Sequence, residues 1–240
     1  MLDLFLKSLA RLLREGDKNE VVYMSSLMED LTIIYYTANT ENTIFEQRII
    51  NNLKEQAGNI PIISVSRKPI DLGKNICIGE QPVCYSNSWK QLLIGLKEAK
   101  TKFCIAAESD VLYPPEYFKF IPPTEDNVYR YTNVWVCFYG KAGLWRKPWS
   151  EGAQICGRKY WIERLENALG NNDGWEPMSD TLNISKRIFS TRDKYSWTGN
   201  PAITFKTRHG INYKTGFYHG RVKSLPYWGT IKSIYKRMFG

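Results

Sequence analysis

Two carboxylates, Glu108 and Asp110, flank Ser109 at the end of an apolar run, Phe103 to Ala107. A buried strand that stops abruptly in acids spaced i and i+2 presents both near a sheet edge. Hard oxygen ligands of this kind hold a divalent cation, and through it a diphosphate. The plainer alternative is a solvated loop after a core strand. The flanks favour a cleft. A helix-length segment, Ser86–Ala99, precedes the run, and Pro114 and Pro115 break the chain after it. In open α/β sheets ligands bind beyond the carboxyl ends of the strands.

Other residues could join this chemistry. A strand over Leu31–Tyr36 runs into Thr37, Ala38, Asn39, Thr40 and Glu41. That small polar turn offers backbone N–H groups, Thr37 and Asn39 to a base or ribose, with Tyr36 placed to stack on the ring. The same residues also suit a plain helix cap. A second strand, Ile60–Val65, ends in Ser66, Arg67 and Lys68, cations fit for a phosphate or ribose or simply for solvent. Asn87 and Lys90 open the helix over Ser86–Ala99, where free N–H groups attract anions.

Further along, Glu176 and Asp180 stand in a loop beside Trp175. A carboxylate in hydrogen-bond reach of an acceptor hydroxyl acts as general base, although a surface turn with Asp180 as a cap would look the same. His209 and His219 are the only histidines. Imidazole ligates manganese-type ions beside carboxylate, so His219 joins Asp110 as a candidate metal ligand, with a solvated histidine as the plainer reading.

The elements that must position these residues alternate. Strand Leu31–Tyr36, helix Glu41–Gln56, strand Ile60–Val65, helix Ser86–Ala99 and strand Phe103–Ala107 predict a parallel sheet with helices on its faces. After residue 120 the pattern changes to short strands (residues 129–131 and Val134–Phe138), a helix over Gly157–Leu169, a polar loop over 170–200 and a late strand, Ala202–Lys206. Residues 2–15 form an amphipathic helix, with Leu2, Phe5, Leu6, Leu9, Leu12 and Leu13 on one face and Lys7, Arg11 and Arg14 opposite. It suits packing on its own domain or a partner, or lying on an anionic membrane.

The chain has 240 residues, 43% of them hydrophobic, and carries a net charge of +9. It is globular, with a full core. The charge favours polyanionic partners: nucleic acid, anionic lipid or phosphorylated ligands. Five cysteines without CxxC spacing imply a reducing compartment and neither a disulfide frame nor a zinc site. No apolar stretch approaches the ~20 residues of a membrane span, and the N-terminus is a poor signal peptide. The expected location is cytoplasmic, with peripheral membrane contact open.

This order of parts resembles the nucleotide-binding half of GT-A glycosyltransferases, especially the family 2 type. The residues that carry the resemblance are the strand and polar turn from Thr32 to Glu41, the helix start at Ser86 and Asn87, and the apolar strand running through Glu108, Ser109 and Asp110 into Pro114 and Pro115. It covers 31–120 well and 150–182 loosely. Two departures stand out: the first acid is Glu in place of Asp, and the usual Glu-Asp pair of the acceptor side is absent.

The resemblance implies an α/β, GT-A (Rossmann-like), mostly parallel sheet with a smaller mixed acceptor-side region. It divides the chain into the helix at 1–20 and one catalytic domain at 21–240, made of a nucleotide-sugar-binding half (21–125), an acceptor half (126–200) and a tail (201–240) that closes over the donor. It implies a Mn2+- or Mg2+-dependent transfer of sugar from a nucleotide-diphosphate sugar to an acceptor hydroxyl. Asp110 would bind the metal. Glu108, with Ser109 beside it, would contact the ribose or a metal-bound water. The acceptor is a glycan or lipid, with a hydroxylated base in DNA as the alternative. A nucleotidyltransferase would normally show a Gly-rich phosphate loop, and Tyr35 to Glu41 contains no glycine. A basic nucleic-acid-binding protein without activity would leave the strand-terminal acids unexplained.

Overall fold

The computed structural model describes residues 30–148, 150–170, 174–179, 188, 195–210 and 218–240. The helix expected over 2–15 and the candidate base Asp180 lie outside these residues.

A seven-stranded sheet forms the frame. Four of its strands are parallel: β1 (Leu31–Thr37), β2 (Ile62–Ser66), β3 (Lys74–Cys77) and β4 (Phe103–Glu108), in the order β3-β2-β1-β4. β6 (Val128–Tyr131), β9 (Gln154–Gly157) and β10 (Tyr195–Trp197) extend the β4 edge, and β9 is the strand that runs against its neighbours. All seven residues of β1 are buried, as expected of a parallel strand covered on both faces. Ile33 and Tyr35 enter the core that also contains Phe45, Ile49 and Leu53 of α1 (Thr43–Ala57). Ile34 and Tyr36 face the other way, toward Trp89, Leu92 and Leu96 of α2 (Tyr85–Glu98) and Trp161 and Leu165 of α3 (Arg158–Leu169).

α1 begins where Asn42 accepts hydrogen bonds from Ile44 N and Phe45 N, capping two otherwise orphaned donors. α2 lies so close to β1 that a Cβ at Gly95 would come within 2.4 Å of Ile34 Cγ2. Glycine at that point sets the spacing between helix and sheet.

The second sheet has five strands, in the order β12-β8-β7-β11-β5. These are β5 (Val111–Leu112), β7 (Val134–Phe138), β8 (Leu144–Lys147), β11 (Ala202–Lys206) and β12 (His219–Val222). β5 follows β4 after only Ser109 and Asp110, and pairs with β11. The acidic pair therefore lies where the chain leaves one sheet and enters the other. This is the expected architecture, a mostly parallel sheet with helices on both faces and a smaller mixed region beside it.

The described parts of the tail are built into the fold. β11 sits inside the second sheet, between β7 and β5. After a short hairpin of β13 (Ser224–Leu225) and β14 (Gly229–Thr230), α4 (Ile231–Phe239) buries Ile231, Ile234 and Met238 in the same core as Phe45. β11, the hairpin and the amphipathic last helix make the described tail a structural layer.

Candidate functional site

The carboxyl ends of β1, β2 and β4 meet at one rim because the three strands are parallel and in register: Tyr36 stands opposite Glu108 on one side and Val65 on the other. Tyr36 is turned inward. It is 7% exposed, and its hydroxyl donates to Glu108 Oε1 at 2.9 Å. Thr37 is also turned inward. Its hydroxyl donates to Glu46 Oε1 at 2.6 Å and accepts from Asn39 N at 2.9 Å, so it is not offered to ribose. A strand buried on both faces leaves no outward side for either residue.

Asn39 and Arg67 build the rim. Asn39 adopts a left-handed backbone, φ 50°, tolerable for Asn. Its Oδ1 accepts from Arg67 N and Lys68 N, both at 2.9 Å. Arg67 in turn donates to Ala38 O at 3.1 Å and pairs with Glu80. These contacts tie the tips of β1 and β2 together. The Arg67 guanidinium is engaged with protein and is not a bare phosphate hook.

Asn87 and Lys90 are likewise occupied. Asn87 Nδ2 donates to Pro82 O and to Trp175 O, each at 2.7 Å. Lys90 donates to Gly174 O and lies 5.9 Å from the centre of the Trp175 ring. Met178 N donates to Ser86 Oγ at 3.4 Å. The start of α2 thus anchors residues 174–179 and carries Glu176, exposed, to the same end of the sheet as Glu108. Tyr85 at this helix start feels the charges of Glu151, Glu108 and Asp110, and its hydroxyl is buried with no hydrogen-bond partner among the described residues.

Glu108 is the most constrained acid. Tyr36 holds one oxygen. The other packs against Gly152, where a Cβ would stand 2.0 Å from Oε2. Gly152 is held in turn by Tyr113, whose hydroxyl donates to Gly152 O at 2.5 Å and accepts from Glu108 N at 3.0 Å. Burial, then the neighbouring Asp110, raise the Glu108 carboxyl to about 7; Lys147, Lys206 and the Tyr36 hydrogen bond oppose the rise. Glu41 is also raised to about 7, by burial first, with a 2.7 Å hydrogen bond from Thr207 acting against it and Asp110 adding to it.

Asp110 is pinned by its backbone, its carbonyl accepting from Phe205 N at 2.7 Å. Its carboxylate has Lys206 Nζ at 3.9 Å, beyond hydrogen-bond reach. Ser109 is half-buried between the two acids.

Burial first, and then the charge of Asp110, raise both Glu108 and Glu41, and the carboxylates of Glu108 and Asp110 are hard oxygen donors. Those residues fit a magnesium- or manganese-class cation at Asp110 and Glu108. His219 does not join them. It is exposed on β12, at the opposite edge of the second sheet from β5, and faces Arg146 of β8. Among the described residues no group of three or more His, Cys, Asp or Glu side chains gathers as a metal-holding set. His209 is exposed, with its backbone N–H on Thr207 Oγ1.

Lys147, Lys206, Gly152 and Tyr113 were not among the residues expected at the site. Only Lys206, at the tip of a readable strand, left a signal in the sequence.

No protein-family model and no curated protein sequence matches the chain. Solved structures resemble it. One is the bifunctional IspDF from Campylobacter jejuni, 15% identical over 71% of this chain and 49% of that one, TM-score 0.40. Another is S. aureus TarS 1-349 in complex with UDP-GlcNAc, 15% identical over 78% and 61%, TM-score 0.47. A third is the mannosyltransferase PcManGT from Pyrobaculum calidifontis with GDP-Man and Mn2+, 13% identical over 75% and 58%, TM-score 0.46. The chain spans about half to three-fifths of the length of these proteins. Likenesses this distant transfer no chemistry, and the residues of the site are read on their own. Among the described residues no helix is long and apolar enough to cross a membrane.

Proposed function

We propose that this protein transfers a sugar from a nucleotide-diphosphate sugar to an acceptor hydroxyl, with Glu108 and Asp110 at the donor diphosphate. One observation carries the reading: two carboxylates at the carboxyl end of β4, beside the end of parallel β1 and at the junction of two sheets, with Glu108 raised by burial and then by Asp110, and Lys206 facing Asp110.

The Asn39–Arg67 rim would seat the base and ribose between the tips of β1 and β2. Asp110 and Glu108 would hold Mn2+ or Mg2+, which when bound supplies charge neutralisation to the departing diphosphate. Tyr36 and Gly152 fix the direction in which the Glu108 carboxylate points. Glu176, carried on the loop anchored by Asn87 and Lys90, stands on the acceptor side as the described candidate for deprotonating the hydroxyl; Asp180 is the other candidate.

The acceptor in this reading is a glycan or lipid hydroxyl. A hydroxylated base in DNA is the second reading. The +9 net charge and the exposed cations Lys141 and Arg208, set over Phe138 and Tyr139, favour it. A steep fall of polynucleotide affinity with salt would select DNA, and a flat response would select the neutral acceptor.

The direct test of the reaction is Asp110→Ala. Its side chain is 20% exposed and, among the described residues, its ionic partner is Lys206 at 3.9 Å, so the variant should fold with a melting temperature near the parent's. Donor hydrolysis and transfer, measured with UDP- and GDP-sugars and Mn2+, should be abolished. Turnover at the parent's rate would overturn the role of Asp110.

A further inference from the structure

Lys147 and Lys206 lie on one face of the second sheet. Val134, Val136 and Phe138 alternate onto that face of β7. Lys147 is paired with Val134 across one side, and Lys206 with Phe138 across the other. The two lysines enter from opposite ends of the face, and the charges of the same carboxylates reach both. Lys206 Nζ is 3.9 Å from Asp110 Oδ2, and Lys147 lies within the fields of Lys206, Glu108, Asp110 and Glu151.

Among the described residues neither ammonium is saturated. Each has three donors. The hydrogen bond of Lys147 Nζ is to Ser150 Oγ, at 3.1 Å, and Lys206 reaches Asp110 only at ionic distance. The Lys206 side chain is 14% exposed. Holding two such cations together in a largely buried space costs free energy unless an anion compensates. The carboxylates compensate in charge, yet the described residues leave most of the donors without a close acceptor. A phosphate group brings several acceptor oxygens to a point charge such as Lys.

We propose that Lys147 and Lys206 form a second cationic seat for the donor's diphosphate, opposite Asp110, and that this seat holds a pyrophosphate group without a divalent cation. It rests on the reading of Glu108 and Asp110 as the donor site. In that arrangement the leaving group is gripped from two sides: by a cation held on the carboxylates of the first sheet, and by ammonium groups projecting from the second. The lysines also offset the repulsion that Glu108 and Asp110 would otherwise exert on an incoming anion.

Inorganic pyrophosphate titrated calorimetrically in EDTA tests the seat. The parent protein should bind it, and Lys147→Met and Lys206→Met should each weaken binding about tenfold or more. Lys147→Arg should restore a good part, and Lys232→Met, an exposed control on α4, should bind as the parent does. Thermal melts of every variant accompany the titrations. A Lys147→Met protein that melts lower but binds pyrophosphate unchanged would show that the lysines only balance the carboxylates, and the seat is refuted. So would a parent that binds no pyrophosphate in EDTA.

A parallel titration with UDP and GDP in Mn2+ separates the two readings. Nucleotide binding without EDTA-resistant pyrophosphate binding refutes the lysine seat alone. Lysine-dependent pyrophosphate binding without nucleotide binding refutes the nucleotide donor alone.

Discussion

Replacing Gly152 by alanine tests how the acid pair is held. A Cβ built there stands 2.0 Å from Glu108 Oε2, 2.3 Å from Cδ and 2.8 Å from Cγ, whereas ordinary contact begins at 3.4 Å. The carboxylate must withdraw by roughly 1.4 Å, or the 150–153 turn must lift. Withdrawal breaks the 2.9 Å hydrogen bond from Tyr36, a bond to a charged acceptor that contributes about 1.5–3 kcal/mol. Lifting the turn instead strains the bond from Tyr113 to Gly152 O. Either route adds an overpacking cost of about 1–3 kcal/mol. Because the two routes are alternatives and relaxation is shared, a total near 2–4 kcal/mol is expected. For a chain of this size each kcal/mol lowers the melting temperature by about 2–4 °C. Gly152→Ala should therefore melt roughly 5–15 °C below the parent and lose donor turnover, because Glu108 no longer points at the rim. Tyr36→Phe removes only the hydrogen bond and should show about half the shift. Differential scanning calorimetry and a donor-hydrolysis assay read both effects. A Gly152→Ala protein that melts within about 2 °C of the parent and turns over donor normally would refute the account of how Glu108 is held.

Glu108 also makes stability depend on pH. Its carboxyl is raised from 4.5 to about 7, by burial and then by Asp110, so the folded state binds that proton more tightly than the unfolded chain. Its contribution is fully present below about pH 4.5 and is lost as pH rises toward about 7. Glu108→Gln should flatten the fall in melting temperature across this window, and an unchanged slope would show that other groups cause it. At the start of α1, Asn42→Ala removes the cap on Ile44 N and Phe45 N and should cost about 1 kcal/mol; Asn42→Asp should restore most of it, and equal melting of all three proteins in calorimetry would contradict the capping role.

Local pattern made much of the frame readable. Seven apolar or β-branched residues at 31–37 form a strand because only a doubly covered position suits such a run, and it is buried throughout. The helices over Glu41–Gln56, Ser86–Ala99 and Gly157–Leu169 appear within about two residues of their expected ends, since a periodic apolar stripe and its caps are local properties. The acids at 108 and 110 were legible as a strand tip for the same reason. Short strands such as Lys74–Cys77 and Leu144–Lys147 were not, because their half-exposed residues carry no alternation strong enough to mark them.

What each polar residue does was decided by tertiary structure. Tyr36 and Glu108 are 72 positions apart, and strand register makes them partners. Asn87 and Trp175 are 88 apart, and only the docking of a loop on α2 turns Asn87 and Lys90 from apparent phosphate ligands into anchors. Lys147 and Lys206 share a face because β7 pairs with both β8 and β11. Periodicity along a chain reports which side of an element is buried. It does not record which distant strand will lie beside that element, and the partner strand determines whether a buried hydroxyl, amide or ammonium meets a carboxylate, a carbonyl or an open cleft.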